Sequence, residues 1–392
     1  MVDEQITICM EQNGAKRVVF SVNGEDASWC WIVPFTIRIG MALVRMDGIG
    51  GVETKPEHRM KGYSRRVLAR AMEEMCAGDA GISMLYGISG YYHRFDYVTA
   101  GPEYAVFVPG ADGEVPLPDG WSVREFKPAD LPAIRRIYDD QTALATGTAV
   151  RTENARVWQK LQETPGNYPQ DECWVAVSPS GQVEGYAWRA RWCWSVREIL
   201  EREFADTLPL GEVIADCPDA ADALLALCRR RAKEEGKEEA LMMMPPDSTM
   251  ANAVRYIDCR MVQLFTDNGG SMVRLLEAGR LLKALEPELS RQVQRSGWSH
   301  PCLLKISTEL GEATLKVTED SVRVLTAGAD ESNHPQYNVT LPGRVLARLA
   351  VGFARASDLC ARAGVAVPDP VLYLLETLMP TRYQHMYLPD RY

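Results

Sequence analysis

Between Gly50 and Ser64 the sequence reads Gly-Gly-Val-Glu-Thr-Lys-Pro-Glu-His-Arg-Met-Lys-Gly-Tyr-Ser. Backbone freedom, positive charge and a hydroxyl crowd into one short run. A strand pattern precedes Pro56 and a helical pattern opens near Gly62. Such a strand–turn–helix aims unpaired N–H groups and the positive end of a helix at one point, which suits a pyrophosphate. Gly62 lets the backbone approach phosphate oxygens because it carries no Cβ. Arg59, Lys61 and Arg65 add cationic donors, and Ser64 adds a hydroxyl. A second reading stands beside this one: an ordinary β–α connection with a solvated basic face. The order Gly-x-x-x-x-Gly-Lys-Ser/Thr of a nucleotide P-loop is missing, as is the Gly-x-Gly-x-x-Gly of a dinucleotide site.

The elements that must position this turn are legible on either side of it. Ile6–Met10, Val18–Val22, Trp29–Val33 and Met41–Met46 are short β-prone runs separated by Asn-Gly, Pro and Gly signals. The pattern predicts a helix over Ser64–Ala77, with Val67, Leu68, Ala71, Met72 and Met75 on one apolar stripe. Buried strands are expected at Ile82–Ile88 and Tyr104–Val108, and a turn-rich linker at Pro109–Gly120. A second mixed segment follows, with strands at Cys173–Val177, Val183–Trp188 and Gly211–Ala215. Its helices are expected at Ala220–Glu235 and around Leu275–Leu285. From about Gly297, four short strands (Leu303–Ser307, Ala313–Val317, Ser321–Leu325, Tyr337–Leu341) precede helical patterns at Pro342–Ala354 and Pro368–Leu378, which suggests a small α+β domain. The final stretch, Met379–Tyr392, holds three tyrosines and two prolines and is expected to dock rather than fray.

Bulk properties exclude several classes. At 392 residues, with 46% hydrophobic and 24% charged residues, the chain reads as a globular protein of two or three domains. No apolar run approaches the roughly 20 residues of a membrane-spanning helix, and the start Met-Val-Asp-Glu-Gln lacks signal-peptide features, so a cytoplasmic protein without membrane partners is expected. A net charge of -10 weighs against nucleic acid as a partner. The ten cysteines lie singly, without Cys-x-x-Cys pairs or histidines at ligand spacing. Reduced thiols and no metal site are therefore expected.

With these residues in view, Arg59-Met-Lys-Gly-Tyr-Ser64 resembles the Arg/Gln-x-x-Gly-x-Gly/Ala/Ser pyrophosphate motif of the GNAT acetyltransferase superfamily. Tyr91-Tyr-His-Arg-Phe-Asp-Tyr97 is similar to the Tyr-x-Arg-Phe-Gly-Tyr segment of its Eis branch. The resemblance spans nearly the whole chain. It implies a mixed α+β fold of two tandem GNAT units and a small sterol-carrier-like domain. The corresponding divisions are a catalytic unit over residues 1–115, a degenerate unit over 116–294 and the sterol-carrier-like domain with its docked tail over 295–392. The implied activity is transfer of acetyl from acetyl-CoA to a primary amine of a cationic small molecule or lysine-like acceptor. A cyclic homo-oligomer, often a hexamer, is implied as well.

Residue by residue, the resemblance implies that backbone groups of Val52, Glu53 and Thr54 bind the pantetheine arm. Arg59, Met60, Lys61, Gly62, Tyr63, Ser64 and Arg65 would hold the pyrophosphate, and Gly87 and Ile88 would lie beside the cofactor. Tyr92 matches the general acid and the carboxylate of Tyr392 the general base. A phenol of pKa ~10 can serve a departing thiolate whose acid has pKa ~8.5. An α-carboxylate of pKa ~3.5 becomes a better base when buried. Beside these roles stand plainer readings: Tyr92 as a core aromatic next to Phe95, Tyr392 as a packed terminus, and His58 and His93 as surface or hydrogen-bonding histidines.

The sequence also departs from the family pattern. It enters the sheet almost at once, without the opening strand and two helices that wall the acceptor site. His93 and Asp96 replace glycines, which points away from an aminoglycoside-type acceptor. Asp216-Cys-Pro-Asp219 stands where the central unit would need a phosphate turn, so that unit is expected to be a scaffold. Two alternatives remain: an acetyl-CoA sensor without turnover, and a carrier of a hydrophobic ligand.

Overall fold

The computed structural model describes residues 3–11, 14–113, 115–163, 172–189, 206–266, 269–325 and 335–392. The chain divides into two compact units: Met1–Ala100 with Ser271–Arg382 and Tyr392, and Gly101–Gly270 with Tyr383–Arg391.

In the first unit, β1 (Glu4–Met10), β2 (Lys16–Val22), β3 (Glu25–Ile39) and β4 (Ala42–Thr54) form an antiparallel meander. Asn23 and Gly24 both take positive φ, 51° and 83°, at the tight turn between β2 and β3, as a hairpin of matching twist requires. Helix α1 (Tyr63–Ala77) buries the predicted stripe of Val67, Leu68, Ala71, Met72 and Met75. Strand β5 (Ile82–Gly87) then runs parallel to β4. The sheet order is β1-β2-β3-β4-β5, then the strand Gly270–Leu275, then β6 (Val98–Thr99).

The helix expected around Leu275–Leu285 begins later, at Ala278, and runs to Ser296. Leu275 belongs to the preceding strand. The boundary is set by Glu277, whose carboxylate accepts the N–H groups of Gly279 (2.9 Å) and Arg280 (2.6 Å) and so caps the helix. The later strands Cys302–Thr308, Gly311–Val317, Val322–Val324 and Gln336–Thr340 form a separate four-stranded sheet, followed by helices Gly343–Ala350, Ala356–Arg362 and Asp369–Leu378. Buried Glu288 of the long helix accepts the Met41 N–H at 2.8 Å in the turn between β3 and β4, and also binds Arg291, Gln292 and Arg382.

The second unit holds two four-stranded sheets and a central helix, Pro218–Glu234. Its buried charges are paired, as they must be in a low-dielectric interior. Arg151 lies between Glu212 (2.9 Å) and Asp390 (2.8 Å), stacked on the Tyr138 ring at 3.7 Å. Arg391 grips Glu103 with two hydrogen bonds, at 2.9 and 2.7 Å. Residues Gln384–Arg391 are all buried. The nine described cysteines are free; Cys193 lies outside the described residues.

Candidate functional site

The site begins where two strands part. β4 and β5 pair at Met46–Ile82, Asp47–Ser83 and Gly48–Met84. Beyond that point β4 continues to Thr54 and β5 to Gly87 without pairing to each other. A bulge against β3 accompanies the parting. Trp29 faces Glu53 and Trp31 faces Gly50, so Gly51 and Val52 stand outside the β3 ladder. Bulges free backbone groups and re-aim a strand. Here the freed residues belong to the segment expected to meet a pantetheine arm. Glu53 and Thr54 are partly committed: Ser28 Oγ donates to the Glu53 carbonyl at 2.8 Å, and Arg59 Nε donates to the Thr54 carbonyl at 3.3 Å.

The turn after β4 passes a short 3-10 helix, Pro56–His58, and enters α1. Gly62 caps α1 in the left-handed conformation, φ 80°, with no side-chain cap, and a Cβ there would meet no atom within 4 Å. Glycine is therefore required by the backbone angle, and the space in front of the helix is open. Met60 also takes positive φ, 62°, and its side chain is fully exposed, a conformation costly for a non-glycine residue. Arg59, Lys61 and Arg65 are exposed around the same opening. The Tyr63 ring stacks on Phe20 at 4.3 Å, and the Ser64 hydroxyl accepts from Tyr91 Oη at 2.7 Å. That last bond ties the start of α1 to the segment after β5.

The same segment carries Tyr92. Ile88 is exposed and its carbonyl accepts the N–H groups of Tyr91 (3.1 Å) and Tyr92 (3.3 Å), opening a short helical turn. The Tyr92 ring packs on Gly87, T-shaped against Tyr91 at 5.1 Å and Tyr97 at 6.2 Å. Burial, with smaller contributions from Tyr91 and Cys30, pushes its phenol well above the ordinary range. It therefore keeps its proton over the neutral range, and the same burial makes it a weaker acid than a free phenol. Among the described residues its hydroxyl has no hydrogen-bond partner.

Tyr392 stands at the parting itself. Its hydroxyl donates to the Met84 carbonyl at 2.7 Å, and its ring packs against Phe35 at 4.9 Å. A Cβ on Gly48 would overlap that ring, and one on Gly50 would lie 3.3 Å from the Tyr392 carboxyl carbon. Met84 and Gly87 are three residues apart on β5, about 10 Å of strand, so Tyr392 and Tyr92 occupy two stations on the same element. Sequence reasoning missed the seat made by Phe35, Gly48 and Met84. Its one signal was Gly48-Ile-Gly-Gly51 inside a strand, since strand glycines often mark close approach of another group.

Residues 9–100 match the family model of the acetyltransferase (GNAT) domain. That segment holds the parting strands, the basic turn and Tyr92. No curated protein matches the chain. Solved structures do. A GCN5-related N-acetyltransferase from Kribbella flavida is 19% identical with TM-score 0.68, over 96% of this chain and 87% of that one. A conserved protein of unknown function from Enterococcus faecalis V583 is 14% identical with TM-score 0.72, over 96% and 89%. Eis1 from Mycobacterium abscessus is 15% identical with TM-score 0.62, over the full length of both. At these identities the likeness shows the fold. The expected mixed α+β GNAT fold is borne out, and with the family match so is the class of GNAT-type acyltransferase.

No described helix is long and apolar enough to cross a membrane, and no group of three or more His, Cys, Asp or Glu among the described residues could hold a metal. In the second unit Asp216 is engaged with Arg136 at 2.5 Å.

Proposed function

We propose that the chain is an acetyl-CoA-dependent N-acetyltransferase acting on a primary amine of a cationic small molecule or lysine-like acceptor. The observation that carries this reading is the end of the β4–β5 ladder at Gly48–Met84, with β4 leading through the turn to a helix start that has no side-chain cap and exposed Arg59, Lys61 and Arg65 around it. A strand gap of this kind can take the pantetheine arm as a further strand through Val52, Glu53 and Thr54, with Gly87 and Ile88 alongside. Met60–Arg65 can hold the pyrophosphate at the positive helix end.

In this reading the amine nitrogen attacks the thioester carbonyl and the C–N bond forms as the C–S bond breaks. The amine proton passes to the Tyr392 carboxylate, and Tyr92 supplies the proton that leaves on the CoA sulfur. Backbone N–H groups freed by the bulge near Val52 are the donors for the transient oxyanion. The same reading includes the Eis branch, the three-part division at residues 115 and 294, a sterol-carrier-like C-terminal domain and a homo-oligomer.

The test is a thermal melt with and without acetyl-CoA, followed by release of free CoA with a panel of aminoglycosides, polyamines and lysine peptides. A raised melting temperature with amine-dependent CoA release is expected. No shift at millimolar cofactor would sink the reading, and a shift without release from any amine would leave a sensor.

A further inference from the structure

Beside the station of Tyr392, one residue back on β5, runs a buried hydrogen-bonded link. Ser83, on β5, donates its single hydroxyl proton to the carbonyl of Asp47, its paired neighbour on β4, at 2.5 Å. The Tyr97 hydroxyl lies 2.6 Å from the same Ser83 oxygen. Since the Ser83 proton is committed to Asp47, Tyr97 is the donor. Both side chains are fully buried. Asp47 and Ser83 face each other one pair before the ladder ends, so the bond crosses the strands just short of where they part. On one side of the link, the Tyr97 ring meets the Tyr92 ring edge-on at 6.2 Å. On the other, Asp47 is followed by Gly48, on which the Tyr392 ring rests.

We propose that Ser83 and Tyr97 are positioning residues that hold Tyr92 and Tyr392 on one frame, and so set the separation of the proton donor from the proton acceptor; this rests on the acetyltransferase reading above. Neither residue reaches the reacting atoms. A buried hydroxyl pair could be replaced by apolar groups of like shape at little cost to folding. Its value lies in direction: the hydrogen bonds hold the far end of the Tyr97 ring and the Asp47 peptide at fixed distances from Ser83. Misplacement of a catalytic group by about 1 Å costs up to ~100-fold in rate.

The experiment uses the full chain with acetyl-CoA and whichever amine the panel identifies. Tyr97→Phe and Ser83→Ala should each lower kcat about tenfold while the KM for acetyl-CoA stays within about twofold. The double variant should be no worse than either single, because both break one link. Tyr97→Phe in a Tyr92→Phe background should cost less than it does alone, since one of the two groups it positions is already gone. Additive losses there would mean a general structural role and overturn the proposal, as would an unchanged kcat in both single variants. Should Ser83→Ala fail to fold, Tyr97→Phe, which keeps the ring volume, decides alone. A wild type that neither binds acetyl-CoA nor turns over removes the acetyltransferase reading and this inference together. An active wild type with unaffected variants removes the inference only.

Discussion

The Tyr392 hydroxyl donates to the Met84 carbonyl at 2.7 Å, on the last residue of β5 that pairs with β4. A side chain from the far end of the sequence is thus seated at the parting of two strands from its first quarter. The seat depends on Gly48, where a Cβ would overlap the Tyr392 ring. Gly48→Ala should therefore displace Tyr392 with little disturbance elsewhere on β4. We expect kcat to fall at least about tenfold, with acetyl-CoA affinity by calorimetry nearly unchanged. Equal losses in both would mean that the strand gap itself had collapsed.

Tyr92→Phe should lower kcat by about 100-fold or more, the usual worth of a positioned acid, and leave acetyl-CoA affinity intact. The pH dependence carries a sign. Burial places the phenol above its ordinary 10.0, so its proton is present throughout the neutral and mildly alkaline range. Turnover should show no falling limb from this group below pH ~10. A titration of the rate near pH 8 that disappears in Tyr92→Phe would contradict the assignment.

Gly62→Ala tests the turn. The position needs φ 80° and has open space before it. The cost to the free protein is then conformational, roughly 1–2 kcal/mol, read as a small drop in melting temperature. Acetyl-CoA affinity should fall by more than this, because the new Cβ enters the space offered to phosphate oxygens. An unchanged cofactor-induced shift would remove Gly62 from the pyrophosphate site.

Glu288 predicts the acid limb of stability. Burial alone would raise its carboxyl, but Arg291, Gln292, the Met41 N–H and Arg382 outweigh that and take it from 4.5 down to about 2. A depressed carboxyl contributes stability in full above 4.5 and loses it as pH falls from there toward 2. Urea midpoints measured across that window should fall more steeply for the wild type than for Glu288→Gln. Parallel curves would show that the ion cluster contributes little.

Arg151→Ala should destabilise by about 3–5 kcal/mol, since it leaves Glu212 and Asp390 buried without their cation. Arg151→Lys should not rescue it, because an ammonium cannot make the forked contacts to both carboxylates. Chemical denaturation of the two variants checks this.

Much of this was legible in the sequence because it was local. Asn23-Gly24 marked its hairpin, the stripe on α1 was buried residue for residue, and the basic turn after β4 lies where Pro56 and Gly62 placed it. What escaped was non-local. The strand Gly270–Leu275 went unassigned, and Leu275 passed for the start of the following helix, because Ser271 and Arg274 break the apolar pattern of so short a run. Glu277 was the missed stop signal. The link from Tyr97 through Ser83 to Asp47 left no trace either, since a buried hydroxyl pair has no spacing rule to announce it. The chemistry of Tyr392 could be guessed from resemblance, but its seat on Gly48 and Met84 needed coordinates.

One consequence concerns synthesis. β5 and β6 are made within the first hundred residues, yet the strand that lies between them in the sheet is Gly270–Leu275. A nascent chain must therefore carry an open β5 edge through some 180 further residues of translation before its neighbour emerges. Long-range pairing of this sort is slow and leaves a sticky edge exposed meanwhile. The segment 9–100, which matches the domain family, thus lacks the strand that sits between β5 and β6 in its sheet. Expressed by itself it would offer that edge to other chains, and fragments meant for binding studies should extend at least through Leu275.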